Sequence, residues 1–169
     1  MHFQLSHVWF DRISISPDVP EHAETLESIG WDVTNFIQQH VVNTGIPENH
    51  IIVGGFSMGG ALAMHVGFRL MRQVAGVFAL SSFLSHTSSI YQVRYMTAVH
   101  HYGGLYTYHN LTLIDTLVPN EWGQYTFNRL KQLGVCGEFH TIPNMLHEMK
   151  GKELRQLYDW INQCLPPPV

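Results

Sequence analysis

Cysteine is scarce. Cys136 and Cys164 are the only two in 169 residues, too few for a disulfide framework, which points to a reducing, cytoplasmic setting. Charge is scarce too, at 13% of residues. The net charge of −4 gives no basic surface on which to expect nucleic acid. No run of apolar residues is long enough to cross a bilayer, and the opening MHFQLSHVWFDR lacks the apolar stretch of a secretory leader. Cys164 stands five residues before the last, Val169, so the end is no prenylation box. The 12 histidines are scattered and form no H-E-x-x-H. No metal and no other cofactor is therefore expected.

What is plentiful is hydrophobic residues, at 45%. That fraction suits a well-buried α/β protein and excludes a disordered one. Residues 1–165 read as a single domain without repeat or linker, and 166–169, with Pro166-Pro167-Pro168, as an extended tail.

Periodicity divides the chain. A helix is expected over 20–43, with Pro20 in its first turn and Leu26, Ile29, Val33, Phe36, Ile37 and Val41 as its apolar stripe. Residues 50–54 lack polar alternation and predict a strand buried on both faces. A helix over 58–70 opens on small residues, and a second buried strand follows at 74–80. The segment 81–104 is irregular. Further elements are a strand at 105–114, a helix over 120–133 with Trp122, Thr126, Leu130 and Leu133 inward, a strand at 138–142, and a helix over 150–164 burying Leu154, Leu157, Tyr158 and Ile161. Strands alternating with helices predict a parallel sheet with helices on its faces.

One stretch carries chemistry. In IIVGGFSMGGALA (51–63), Gly55-Phe56-Ser57-Met58-Gly59 matches G-x-S-x-G between strand and helix. There a tight turn lifts the serine hydroxyl clear of the sheet and turns the next N–H toward the same space. Small residues flank the serine because the turn leaves no room for side chains. A serine nucleophile needs a base, and the base needs an orienting carboxylate. On nucleophile-elbow folds the chain order is serine, acid, histidine, each after a strand. Asp115 follows strand 105–114 and His147 follows strand 138–142. Asp115 also reads as a turn residue, and His147 as a polar residue ahead of a helix. Glu121 and Glu138 are the other acids nearby, and His140 the other base.

These blocks resemble a family, the acyl-protein thioesterases and lysophospholipase-like carboxylesterases of the α/β-hydrolase fold, nearest its lysophospholipase-like branch. The resemblance rests on VWFDR (8–12), PEHAETLESI (20–29), IIVGGFSMGGALAMH (51–65), VAGVFALSSFL (74–84), DTLVP (115–119), LGV (133–135) and PNMLHE (143–148). It implies Ser57 as nucleophile, Asp115 as orienting acid, His147 as base and the Met58 N–H as an oxyanion donor. The implied substrates are acylated proteins, lysophospholipids or small esters, cleaved through an acyl-enzyme.

Two features depart from the family. The run His109-Asn110-Leu111-Thr112-Leu113-Ile114-Asp115 is two residues longer than the family's H-G-x-x-D and lacks its glycine. The family's chains also begin well upstream, with the first strands and the loop supplying a second oxyanion N–H. The expected fold is therefore a partial α/β-hydrolase, first strands missing. Its strand at 50–54 would have one naked edge, since only His7 to Phe10 and Ile13 to Ile15 look extended before it. Self-association through that edge follows as an expectation. So does an alternative role: a catalytically impaired remnant that binds acyl chains or a partner protein.

Overall fold

The computed structural model describes residues 8–93, 105–110, 115, 117–142 and 146–165, with the backbone alone at 105–110. The expected tail at 166–169, and the extended ends of the strand at 105–114 and of the irregular segment to 104, lie outside the described residues.

Four strands form one parallel sheet in the order β1 (Ile52–Phe56), β2 (Gly76–Leu80), β3 (Leu105–Asn110), β4 (Gly137–Ile142). The helices are α1 (Ala23–His40), α2 (Met58–His65), α3 (Asn120–Gln132) and α4 (Gly151–Cys164). One π-helical turn, Val66–Leu70, prolongs α2 and completes the helix expected to residue 70.

Alternation along the strands divides the core. Val53, Val77, Ala79 and Phe139 face α1, α2 and α3, where Leu26, Leu62, Phe68, Phe127 and Leu130 are buried. Ile52, Phe56, Phe78, Leu80 and Ile142 face α4, against Leu157 and Trp160. Helices thus cover both faces, three on one and one on the other.

Several expectations are corrected. β2 is buried nearly throughout, but in β1 only Val53 is buried and Gly54 is exposed. The reason is position: β1 pairs with β2 alone among the described residues. No strand forms at 8–19. Helix α1 starts three residues past Pro20, with the His22 ring rather than Pro20 at its cap, where Nδ1 accepts from the Thr25 N–H at 3.4 Å. Its inward face is Leu26, Gly30 and Thr34, while Phe36 is 61% exposed. Gly30 turns inward because the His65 ring leaves no more room: a Cβ there would lie 3.0 Å from His65 Cδ2. Trp122 is half-buried, edge-on to Phe83 at 4.8 Å between centroids.

In α4 the buried face is Glu153, Leu157, Trp160 and Cys164, whereas Leu154 and Tyr158 are exposed. Docking against the sheet thus sets the buried face one residue from the expected stripe, and the buried Glu153 carboxylate accepts the Lys150 N–H at the helix start.

Candidate active site

Strand β1 ends at Phe56 and α2 begins at Met58, so the chain reverses at Ser57. The turn demands φ 53° and ψ −120° at that serine, a left-handed backbone that costs a non-glycine residue roughly 1–3 kcal/mol. Two kinds of bond hold it. The Ser57 N–H donates to Leu80 O of β2 at 2.8 Å, and Ser57 O accepts from Gly60 N at 3.0 Å and Ala61 N at 3.4 Å. The N–H groups of Met58 and Gly59, first in the helix, have no acceptor within it.

The glycines contribute unequally. A Cβ on Gly55 would lie 2.3 Å from the Gly59 carbonyl carbon, so only hydrogen fits. On Gly59 it would meet only Trp9 Nε1, at 3.5 Å, an ordinary contact. The expected steric demand on Gly59's own side chain is therefore absent. The second tight position is Gly60, whose Cβ would fall 2.7 Å from Ser82 Cβ. The motif did not single it out, although its small size was legible.

Asp115 is buried, its side chain 1% exposed. Its Oδ1 accepts the N–H groups of Leu117 and Val118, both at 3.0 Å. Its Oδ2 lies 3.0 Å from His147 Nδ1. Burial by itself would raise the carboxyl. The Val118 N–H, the bond and charge of His147, and the Leu117 N–H together outweigh it and hold the group below its ordinary value. An ionised Asp115 keeps the Nδ1 proton on its side and leaves His147 Nε2 as the acceptor. The longer run before Asp115 thus does not keep the carboxylate from the imidazole.

The imidazole packs on Phe56, with ring centroids 4.7 Å apart. That places it against the residue before Ser57. No hydrogen bond joins the Ser57 hydroxyl to His147 among the described residues. Catalytic bonds of this kind commonly close only when substrate is bound.

The competing candidates lie elsewhere. His140 and Glu138 pair with each other at 2.7 Å on β4. Glu121 is exposed on α3, and Asp11, Asp18, Asp32 and Asp159 are exposed as well. Sequence reasoning missed the two N–H groups that fix Asp115 and the Phe56 ring beneath His147. It also missed Ser81, at the end of β2, which has φ 46° and a buried hydroxyl without a partner. Nothing in the motif announces these. Among the described residues no group of three or more His, Cys, Asp or Glu is placed to hold a metal ion, and no helix is long and apolar enough to cross a membrane.

A parallel sheet flanked by helices, with a strained serine between strand and helix and an acid–histidine pair on later loops, defines an α/β-hydrolase. The profile of the phospholipase/carboxylesterase family matches residues 4–165, and the chain belongs to that family. It is 43% identical over 167 residues to lysophospholipase-like protein 1 of Mus musculus, covering 96% of this chain and 66% of that protein. It is 28% identical over 164 residues to acyl-protein thioesterase 1 of Gibberella zeae, covering 94% and 68%. The chain thus spans about two thirds of these relatives' length. Among solved structures, SOBER1 of Arabidopsis thaliana superposes with a TM-score of 0.82 at 25% identity, over 94% of this chain and 74% of that one. Acyl-protein thioesterase 2 of Zea mays superposes with a TM-score of 0.75 at 21% identity, over 94% and 73%, which speaks for the fold alone.

Proposed function

We propose that the chain is a serine hydrolase for acyl thioesters or carboxylic esters, with Ser57 as nucleophile, His147 as base and Asp115 as the acid that orients it. The observation that carries this reading is the 3.0 Å bond between buried Asp115 and His147 Nδ1, beside a serine held in a strained elbow. His147 Nε2 takes the Ser57 proton as the hydroxyl oxygen attacks the carbonyl carbon. The Met58 N–H stabilises the oxyanion, and the imidazolium returns the proton to the leaving thiol or alcohol. Water then hydrolyses the acyl-enzyme by the same path. The relatives' names, a lysophospholipase-like protein and acyl-protein thioesterases, support acylated proteins, lysophospholipids and small esters as the substrate class. A cytoplasmic location belongs to the same reading.

A second reading, acyl-chain or partner binding without turnover, is favoured by the lack of a bond between Ser57 and His147. One experiment separates the two. A fluorophosphonate probe should label Ser57 in the folded chain, with labelling lost in Ser57→Ala and slowed at least about a hundredfold in His147→Ala. A folded chain that takes no label leaves the binding role.

A further inference from the structure

Among the described residues a single hydrogen bond holds the imidazole of His147, from Nδ1 to Asp115 Oδ2 at 3.0 Å. A ring fixed at one nitrogen can still swing about that bond, and the swing carries Nε2 toward the nucleophile or away from it. Ser57 does not stop the swing, because no hydrogen bond joins its hydroxyl to His147 among the described residues.

What meets the imidazole is the ring of Phe56, with centroids 4.7 Å apart and planes inclined by 46°. Phe56 is anchored in two ways. It ends β1, where it stands in register with Leu80 of β2, and its side chain packs with Leu80, Leu157 and Trp160 in the apolar layer beneath α4. It also directly precedes Ser57, whose φ of 53° makes the sharp turn of the elbow. The ring against the base and the hydroxyl that the base must reach are therefore carried by adjacent residues.

We propose that Phe56 is a positioning residue for His147, limiting the swing of the imidazole so that Nε2 stays turned toward Ser57. The inference rests on the serine hydrolase reading and deepens it. Misplacement of a catalytic group by about 1 Å costs about a hundredfold in rate, so a side chain that limits the swing acts on the chemical step. The aromatic ring adds a second effect. When Nε2 takes the Ser57 proton, His147 becomes a cation, and an aromatic face within about 6 Å attracts it. An aliphatic side chain would pack in the same layer without that attraction.

The test compares Phe56→Leu, Phe56→Tyr and Phe78→Leu in the whole chain. Phe78 belongs to the same apolar layer, but its ring lies over Gly54, so its variant controls for lost packing. One readout is the ring-proton NMR signals of His147, identified by their loss in His147→Gln. The other is the saturation kinetics with which a fluorophosphonate labels Ser57. In Phe56→Leu the imidazole signals should shift as the ring current is lost. Maximal labelling should slow by about ten- to a hundredfold, with the half-saturating probe concentration unchanged. Phe56→Tyr should restore both readouts, and Phe78→Leu should label at the native rate. Cross-relaxation between the Phe56 and His147 rings in the native chain checks the contact without any substitution.

Labelling of Phe56→Leu at the native rate overturns the proposal. So do imidazole signals that stay in place, or rings that show no cross-relaxation. Equal slowing in Phe78→Leu overturns it in favour of a general loosening beneath α4. Failure of the hydrolase reading is a separate result, because the native chain itself then takes no label. In that case the imidazole signals of Phe56→Leu decide by themselves whether Phe56 holds His147.

Discussion

Asp115 shows how much one side chain depends on the backbone around it. Its Oδ1 is held by two N–H groups of its own loop, and its Oδ2 is thereby aimed at His147. Asn at this position keeps the volume but loses the charge, and its amide can present an N–H to Nδ1. The imidazole is then held in the wrong tautomer. Asp115→Asn should slow ester turnover by up to about 10⁴-fold, with the fold unchanged by circular dichroism. Loss below tenfold in a soluble variant assigns the orienting role elsewhere. Ser57 and Ser81 make a related point, since both take positive φ at the ends of neighbouring strands. Strain of this kind persists only where the surroundings over-determine it, and here it is concentrated beside the candidate nucleophile.

At the scale of elements, the elbow depends on how closely α2 approaches β1 and β2. Gly55 touches the backbone of Gly59, and Gly60 touches Ser82. Backbone cannot move aside as a side chain does, so Gly55→Ala must push α2 off β1. It should lower stability by about 1–3 kcal/mol and reduce probe labelling of Ser57. Gly59→Ala meets only the exposed Trp9 and should be tolerated in denaturant unfolding. An equal loss in the two variants would mean that the glycines act through backbone freedom rather than contact. The motif G-x-S-x-G was plain in the sequence, but which of its glycines is tight was not, because that depends on which helix residue stands over which strand residue.

For the whole molecule, the junction of α1 with α2 carries a pH dependence. His65 is 1% exposed, and Glu27 and Arg69 face it. Its Nε2 lies 3.2 Å from Glu27 Oε2, yet neither ring nitrogen is aligned for a hydrogen bond. Arg69 meanwhile grips Glu27 through Nε at 3.0 Å and Nη2 at 3.2 Å. Burial lowers the His65 pKa, as does the charge of Arg69. The charge of Glu27, 3.2 Å from Nε2, opposes them without prevailing. The unfolded chain therefore takes up the proton first as pH falls below the ordinary value of 6.5. Stability is full above that value and is lost as pH drops toward the depressed folded value, by at most about 1.4 kcal/mol per pH unit. His65→Phe should flatten this part of the stability profile, measured by urea unfolding between pH 7.5 and 5. An unchanged slope would assign it to another group.

The sequence by itself determined the parts that rest on local chemistry. Short apolar runs and helical spacing marked the four strands and four α-helices seen among the described residues. The glycines around Ser57 marked a turn that few other residues allow, and chain order drew attention to Asp115 and His147. Only the tertiary structure decided what depends on neighbours. Packing left only Val53 of β1 buried, although the whole strand had read as buried on both faces. Docking rotated α4 so that Leu154 and Tyr158 face outward and Glu153 inward. The fold paired His140 with Glu138 on β4, and Asp115 with His147. The physical reason is the same in each case: periodicity states that an element has an apolar face, but what covers that face is set by elements distant in the chain.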